Sequence, residues 1–220
     1  MKIVKILLLF ITLLFATSSA LAAKYTGFKE PAKGEWAILV MNLEKGREME
    51  EKMVYLGEAM MNGKTVYGVE ARIHLPQQQR TMISQFWTDK KTNEEMKFVM
   101  KQGEQLMCMS ASMPGMTDEN SKPMTKTPDE FSPDKPVLRY DTYTTPTGKK
   151  VHVAVFKSDE GEVWVSSDTP FGIVRMVKNG KDLIYLKDFG SGEKPLIPVS
   201  DAVGCKAMDL GQMFGGFGGN

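Results

Sequence analysis

The stretch VYGVEARIHL, residues 66–75, decides the fold. Tyr67, Val69, Ala71, Ile73 and Leu75 occupy every second position, and Glu70, Arg72 and His74 fall between them. A period of two sends successive side chains to opposite faces of a strand, here one apolar and one polar. The same reading extends outward. EEMKFVMK, 94–101, sets Met96, Phe98 and Met100 against Glu95, Lys97 and Lys101. KVHVAVF (150–156) and EVWVS (162–166) are β-branched and aromatic runs of the kind strands favour. Asn62-Gly63 and Asn179-Gly180 mark tight hairpins, because both central positions of such turns want positive φ. SDEGE (158–162) and TPTGKK (145–150) are further turns.

These signals predict a meander of ten antiparallel strands, near 35–44, 49–60, 65–75, 80–88, 94–102, 137–144, 150–157, 162–167, 172–178 and 182–188. Between the fifth and sixth lies PGMTDENSKPMTKTPDEFSPDKP, 114–136, with five of the eleven prolines. It is too long for an ordinary connection and reads as a lid, a binding loop or a linker. Neither block of strands closes by itself, so one continuous sheet is expected. Helix is scarce: SDAVGCKAMDLGQM (200–213) offers one short candidate with Ser200 or Asp201 as N-cap. The tail 211–220 is too glycine-rich to fold alone. The expected class is mainly β, a large antiparallel sheet coiled into an unclosed half-barrel and covered by a loop or short helix.

The N-terminus bears on compartment. MKIVK is a basic start, ILLLFITLLFA an apolar core shorter than the roughly 20 residues a span requires, and SSALA supplies small residues at a cleavage site. Residues 1–22 therefore read as a signal peptide and 23–220 as one domain, periplasmic or secreted and not membrane-spanning after cleavage. Loss of Lys2 and Lys5 takes the formal charge from +1 to −1, which leaves no electrostatic case for nucleic acid. In an oxidising compartment the two cysteines, Cys108 and Cys205, are expected to pair.

Methionine is abundant, seventeen in all, and its flexible, polarisable side chain suits surfaces that adapt to apolar partners. The stripe Met82, Phe86, Met96, Phe98 and Met100 is the candidate wall for a hydrophobic ligand. MCMSASMPGM, 107–116, raises an alternative. Met107, Met109, Met113 and Met116 are soft donors of the kind that select Cu(I). On a strand, however, Met107 and Met109 face away from Cys108, which also has Cys205 as a competing partner. No catalytic motif appears: His74 lies on a polar strand face, His152 sits between valines and reads as packed, and G-x-S-x-G, H-E-x-x-H and C-x-x-C are all missing. The chain is expected not to be an enzyme and to have no cofactor.

The segment EVWVSSDTPFGIVR, 162–175, resembles a pattern in secreted proteins of the LolA/LolB-like superfamily, the outer-membrane lipoprotein-sorting type. There a strand ends in Trp and Ser, a turn carries Pro-x-Gly and the next strand follows at once; here these are Trp164, Ser166, Pro170 and Gly172. The resemblance is strongest over about 160–190 and only topological over 35–110. It implies an unclosed antiparallel barrel whose apolar side takes acyl chains. The helical lid of that superfamily is hardly visible, and no cysteine follows the expected cleavage site, as a lipoprotein receptor would require. The sequence thus predicts a non-catalytic carrier of an apolar small molecule, a lipid or an acylated protein. The alternatives are a Met-rich copper binder and a structural protein whose glycine-rich tail docks an envelope partner.

Overall fold

The computed structural model describes residues 24–43, 46–75, 80–110, 128–158 and 161–206. Residues 1–23, where the signal peptide was expected, most of the proline-rich stretch, Met113, Met116 and the glycine-rich tail lie outside the described residues. Eleven strands make one antiparallel sheet: β1 (Trp36–Leu43), β2 (Arg47–Met61), β3 (Lys64–Leu75), β4 (Arg80–Asp89), β5 (Glu95–Gln102), β6 (Gln105–Ser110), β7 (Arg139–Thr144), β8 (Lys150–Ser158), β9 (Gly161–Val165), β10 (Ile173–Lys178) and β11 (Lys181–Gly190). Their order is β6-β5-β4-β3-β2-β1-β11-β10-β9-β8-β7. Two meanders are therefore joined by pairing of the first strand with the last, with Ala37 opposite Phe189. The sheet is continuous and does not close into a barrel, as expected.

The hairpin turns follow from their residues. Asn62 (φ 51°) and Gly63 (φ 75°) reverse β2 into β3, and Asn179 (φ 52°) and Gly180 (φ 73°) reverse β10 into β11. One strand was not anticipated. Gly103, at φ 61°, and Glu104 turn the chain after Gln102, so 105–110 is a separate strand, not a continuation of its neighbour. The pattern K-Q-G-E-Q carries only one turn residue, and the sequence reading ran past it.

Two faces are distinguished by what gathers on them. On the face here termed inner, Ala37, Met53, Tyr55, Tyr67 and Val69 from the first meander share one core with Val151, Val153, Val155, Trp164, Val174 and Leu186 from the second. The sheet curls enough for Tyr143 on β7 to donate its hydroxyl to the carbonyl of Leu186 on β11 at 2.9 Å, although three strands separate them in pairing order. The outer face carries two separate cores. Val54, Leu56, Val66, Trp87 and Val99 form one, and Ala154, Phe156, Val163, Val165 and Ile173 form the other with Tyr25 and Phe131. The second is covered by the N-terminal segment and by residues that precede β7. There Gly172 makes room for Phe28, whose ring a Cβ would approach to 2.3 Å.

The first outer core is covered by residues 191–206, which end in helix α1 (Val199–Gly204). Helix α1 begins after Pro198, with no side-chain cap from Ser200 or Asp201; the φ of −55° that proline supplies suits the entry. The expected disulfide is present: Cys108 on β6 joins Cys205 just beyond α1, 97 residues away. Closing so long a loop contributes about 4–5 kcal/mol by restricting the unfolded chain. Replacing both cysteines with serine should lower the unfolding free energy by about that amount, read as a fall in urea midpoint with a somewhat steeper slope, because the unbridged chain exposes more surface when it unfolds. A midpoint within experimental scatter of the parent would contradict this role.

Candidate functional site

The outer face was expected to be the solvated one, since it carries Glu70, Arg72 and Lys97. The structure reverses this. Glu70 and Gln85 are fully buried beneath the 191–206 strap. The Glu70 carboxylate accepts from Arg72 Nε at 2.8 Å, Gln85 Nε2 at 2.9 Å and the backbone N–H groups of Leu196 and Ile197 at 3.0 Å. Gln85 also donates to the carbonyl of Ile197 at 2.7 Å, and Arg72 reaches Glu193 at 2.6 Å. Lys52 pairs with Glu193 from the adjacent strand. Lys97 donates to the carbonyls of Ala202, Val203 and Cys205 at 3.0, 2.8 and 2.6 Å, and so satisfies the C-terminal end of α1. Burial pushes its ammonium below the usual lysine range. Trp87 packs in the core under the strap and close against Gly68, where a Cβ would stand 2.8 Å from the ring.

With the outer face covered, the inner face of β4, β5 and β6 carries apolar side chains that belong to no core among the described residues. The register lines it up: Val69, Phe86, Phe98 and Met109 form one cross-strand row, and Ala71, Ser84, Met100 and Met107 form the next. Met82 stands opposite Ile73. Phe86 and Phe98 pack with ring centroids 5.0 Å apart. All of Met82, Phe86, Phe98, Met100, Met107 and Met109 are half-buried, and none belongs to any of the three cores. Four of the five candidate wall residues therefore share one surface. Met96, grouped with them by alternation, packs instead against the outer core, beside a register shift at Trp87/Thr88. Met107 and Met109 were read for metal alone, and the missed turn at Gly103 hid their place beside Met100 and Phe98.

At one end of this surface is a cleft of about 400 Å³ lined by Arg80, Thr81, Met82, Met100, Lys101, Gln102 and Gly103. A smaller cleft of about 200 Å³ lies among Val40, Glu48, Glu50, His74, Pro146, Tyr185 and Lys187. Its His74 is exposed, and Lys187 is held by Glu50 at 2.5 Å. His152, expected to be packed, is exposed on β8 with Nδ1 3.7 Å from the Asp168 carboxylate, although Val151 and Val153 on either side are buried on the opposite face. Among the described residues no three His, Cys, Asp or Glu side chains gather as a metal site would require. Met107 and Met109 face away from Cys108, which is engaged in the disulfide and offers no thiolate. Among the described residues no helix is long and apolar enough to cross a membrane.

The turn from Trp164 to Gly172 has an architectural place. Trp164 is buried on the inner face between two guanidinium groups, Arg139 at 5.3 Å and Arg175 at 5.0 Å from its ring. Ser166 accepts from the N–H of Asp168, and its own N–H donates to the carbonyl of Gly172. Pro170 is buried in the corner, followed by Phe171 and Gly172 at positive φ. The chain matches no family model, no curated protein and no solved structure.

Two expectations follow. Glu70→Ala leaves two backbone donors, Arg72 and Gln85 without their acceptor and should cost about 3–5 kcal/mol, with amide protection at 196 and 197 lost in hydrogen exchange; retained protection there would contradict the anchoring. The second concerns Glu162, which the Arg139 guanidinium holds down to about 2, against an ordinary value of 4.5. A depressed carboxylate stabilises above its unfolded pKa, and that contribution is lost as pH falls from about 4.5 to about 2. Arg139→Gln should therefore flatten the pH dependence of the unfolding midpoint in that window; an unchanged slope would show that the pair contributes nothing.

Proposed function

We propose that the protein is an exported, non-catalytic binder of an alkyl or acyl chain, which lies on the inner face of β4–β6. One observation carries the reading: six methionine and phenylalanine side chains, in register on three adjacent strands, stay outside every core formed by the described residues. Half-exposed apolar area of this kind is stabilised by contact with another apolar surface, at about 0.8 kcal/mol per methylene buried. Methionine fits chains of varied shape because three rotatable bonds let it follow them. The resemblance to LolA/LolB-like proteins supports an acyl ligand, and the apolar N-terminal segment supports export. A periplasmic or extracellular location agrees with a disulfide between the two cysteines.

The test is titration with the neutral apolar fluorophore 1-aminoanthracene, followed by native mass spectrometry of protein purified without detergent. The double variant Phe98→Asp, Met100→Asp puts two carboxylates on the surface without touching a core. It should weaken the fluorophore at least about tenfold, the equivalent of 1.4 kcal/mol, while the unfolding midpoint moves little. Parent-like affinity in the variant would remove this face as the binding surface.

A further inference from the structure

Glu51 is an acidic side chain set among apolar ones. Its neighbour Glu50 turns to the outer face and is held by Lys187 at 2.5 Å. Glu51 points the other way, with Met53, which belongs to the inner core, and opposite Leu39, which packs against that core. Ile73 stands across from it on β3 and Met82 follows on β4, so Leu39, Glu51, Ile73 and Met82 form one cross-strand row. The next row on the same face runs from Met53 through Ala71 and Ser84 to Met100. Glu51 is half-buried, and among the described residues it forms no ion pair and no hydrogen bond. Other half-buried carboxylates of the sheet are compensated, Glu162 by Arg139, Asp182 by Arg175 and Asp188 by Lys149. Burial pushes the Glu51 carboxyl above its ordinary 4.5, because the charged form loses water and gains no partner.

We infer that Glu51 determines the specificity of the inner face: its ligand is a single-chain amphiphile with an ammonium head, which pairs with Glu51 while the chain crosses Ile73 and Met82 toward Met100 and Phe98. The inference rests on the reading of this face as an alkyl-binding surface and adds the charge and orientation of the ligand. An uncharged chain laid over the row would take the remaining water from Glu51 and return nothing, which is unfavourable for a carboxylate. An anionic head would add repulsion. An ammonium brings the missing charge and three hydrogen-bond donors. From β2 to β4 is two strand spacings, about 10 Å, so one molecule reaches both the carboxylate and the methionine and phenylalanine rows. The alkyl surface supplies affinity, and Glu51 selects which head group is accepted.

The experiment is calorimetric titration of the full-length protein with decylammonium, decanol and decanoate, below their micellar concentrations and at pH 8, where the amine keeps its proton. At low salt decylammonium should bind roughly five- to tenfold more tightly than decanol, and decanoate, whose chain meets the same surface, should bind most weakly. Added salt should narrow these gaps. In Glu51→Gln the affinity for decylammonium should fall to that for decanol. Glutamine has the same size and removes an uncompensated charge, so this variant should unfold at a urea midpoint no lower than the parent's. Equal affinity for the three ligands would overturn the head-group inference and leave alkyl binding intact. No binding by any of them would overturn both. A preference for the amine that survives in Glu51→Gln would overturn the assignment to Glu51. A lowered midpoint would reveal a partner for the carboxylate within the protein and overturn the inference as well.

Discussion

The carboxylate of Glu70 is fully buried and accepts hydrogen bonds from two backbone amides of the C-terminal strap, from Arg72 and from Gln85. A buried carboxylate left without these donors would cost several kcal/mol, so strand β3 and the strap are committed to each other. The remaining contacts extend that commitment. Glu193 bridges Lys52 and Arg72, Lys97 satisfies the end of α1, and the disulfide fastens the strap to the edge strand β6. Polar groups that would ordinarily face water thus become the seat of a cover. The cover brings its own apolar residues, Ile197 and Ala202, into contact with Val54, Trp87 and Val99.

The consequence lies on the other side of the sheet. An eleven-stranded sheet has two faces to manage, and the second meander manages its inner face by curling: Val151, Val153, Val155 and Trp164 pack against Ala37, Tyr55 and Val69. The curl does not extend to β4–β6. Those strands are anchored by their outer side, and their inner side carries Phe86, Phe98, Met100, Met107 and Met109 without a core of their own. A flexible, polarisable surface beside a deeply anchored strap is well suited to hold an apolar chain, because the strands beneath it need not move when the chain is bound.

Much of this architecture was legible from the residues. Alternation located ten strands and the Asn-Gly pairs placed two hairpins, because period and turn chemistry are local properties that tertiary contacts seldom override. The pairing of Cys108 with Cys205 followed from there being two cysteines. What alternation could not tell was which face would be buried. Glu70, Arg72 and Lys97 mark a polar face, and in isolation a polar face belongs in water. Only a cover with matching donors and acceptors reverses that, and the strap's matches are main-chain groups, at Leu196, Ile197, Ala202 and Val203, which carry no side-chain signature. Of the residues alternation grouped together, Met82, Phe86, Phe98 and Met100 share a face. Met96 was misplaced by a register shift, and Met107 and Met109 were overlooked as companions because a two-residue turn at Gly103 was not recognised.

The central claim is that the inner face of β4–β6, and not the strap side, meets an apolar chain. The most direct measurement is methyl NMR of protein labelled at its methionine ε-carbons, titrated with a fatty acid that bears a nitroxide on its chain. Broadening should concentrate on Met82, Met100, Met107 and Met109. Met61 in the outer core and Met60 on the exposed end of β2 should keep their line widths. Broadening centred on Met60 and Met61, or spread evenly over all methionines, would contradict the assignment of the binding face.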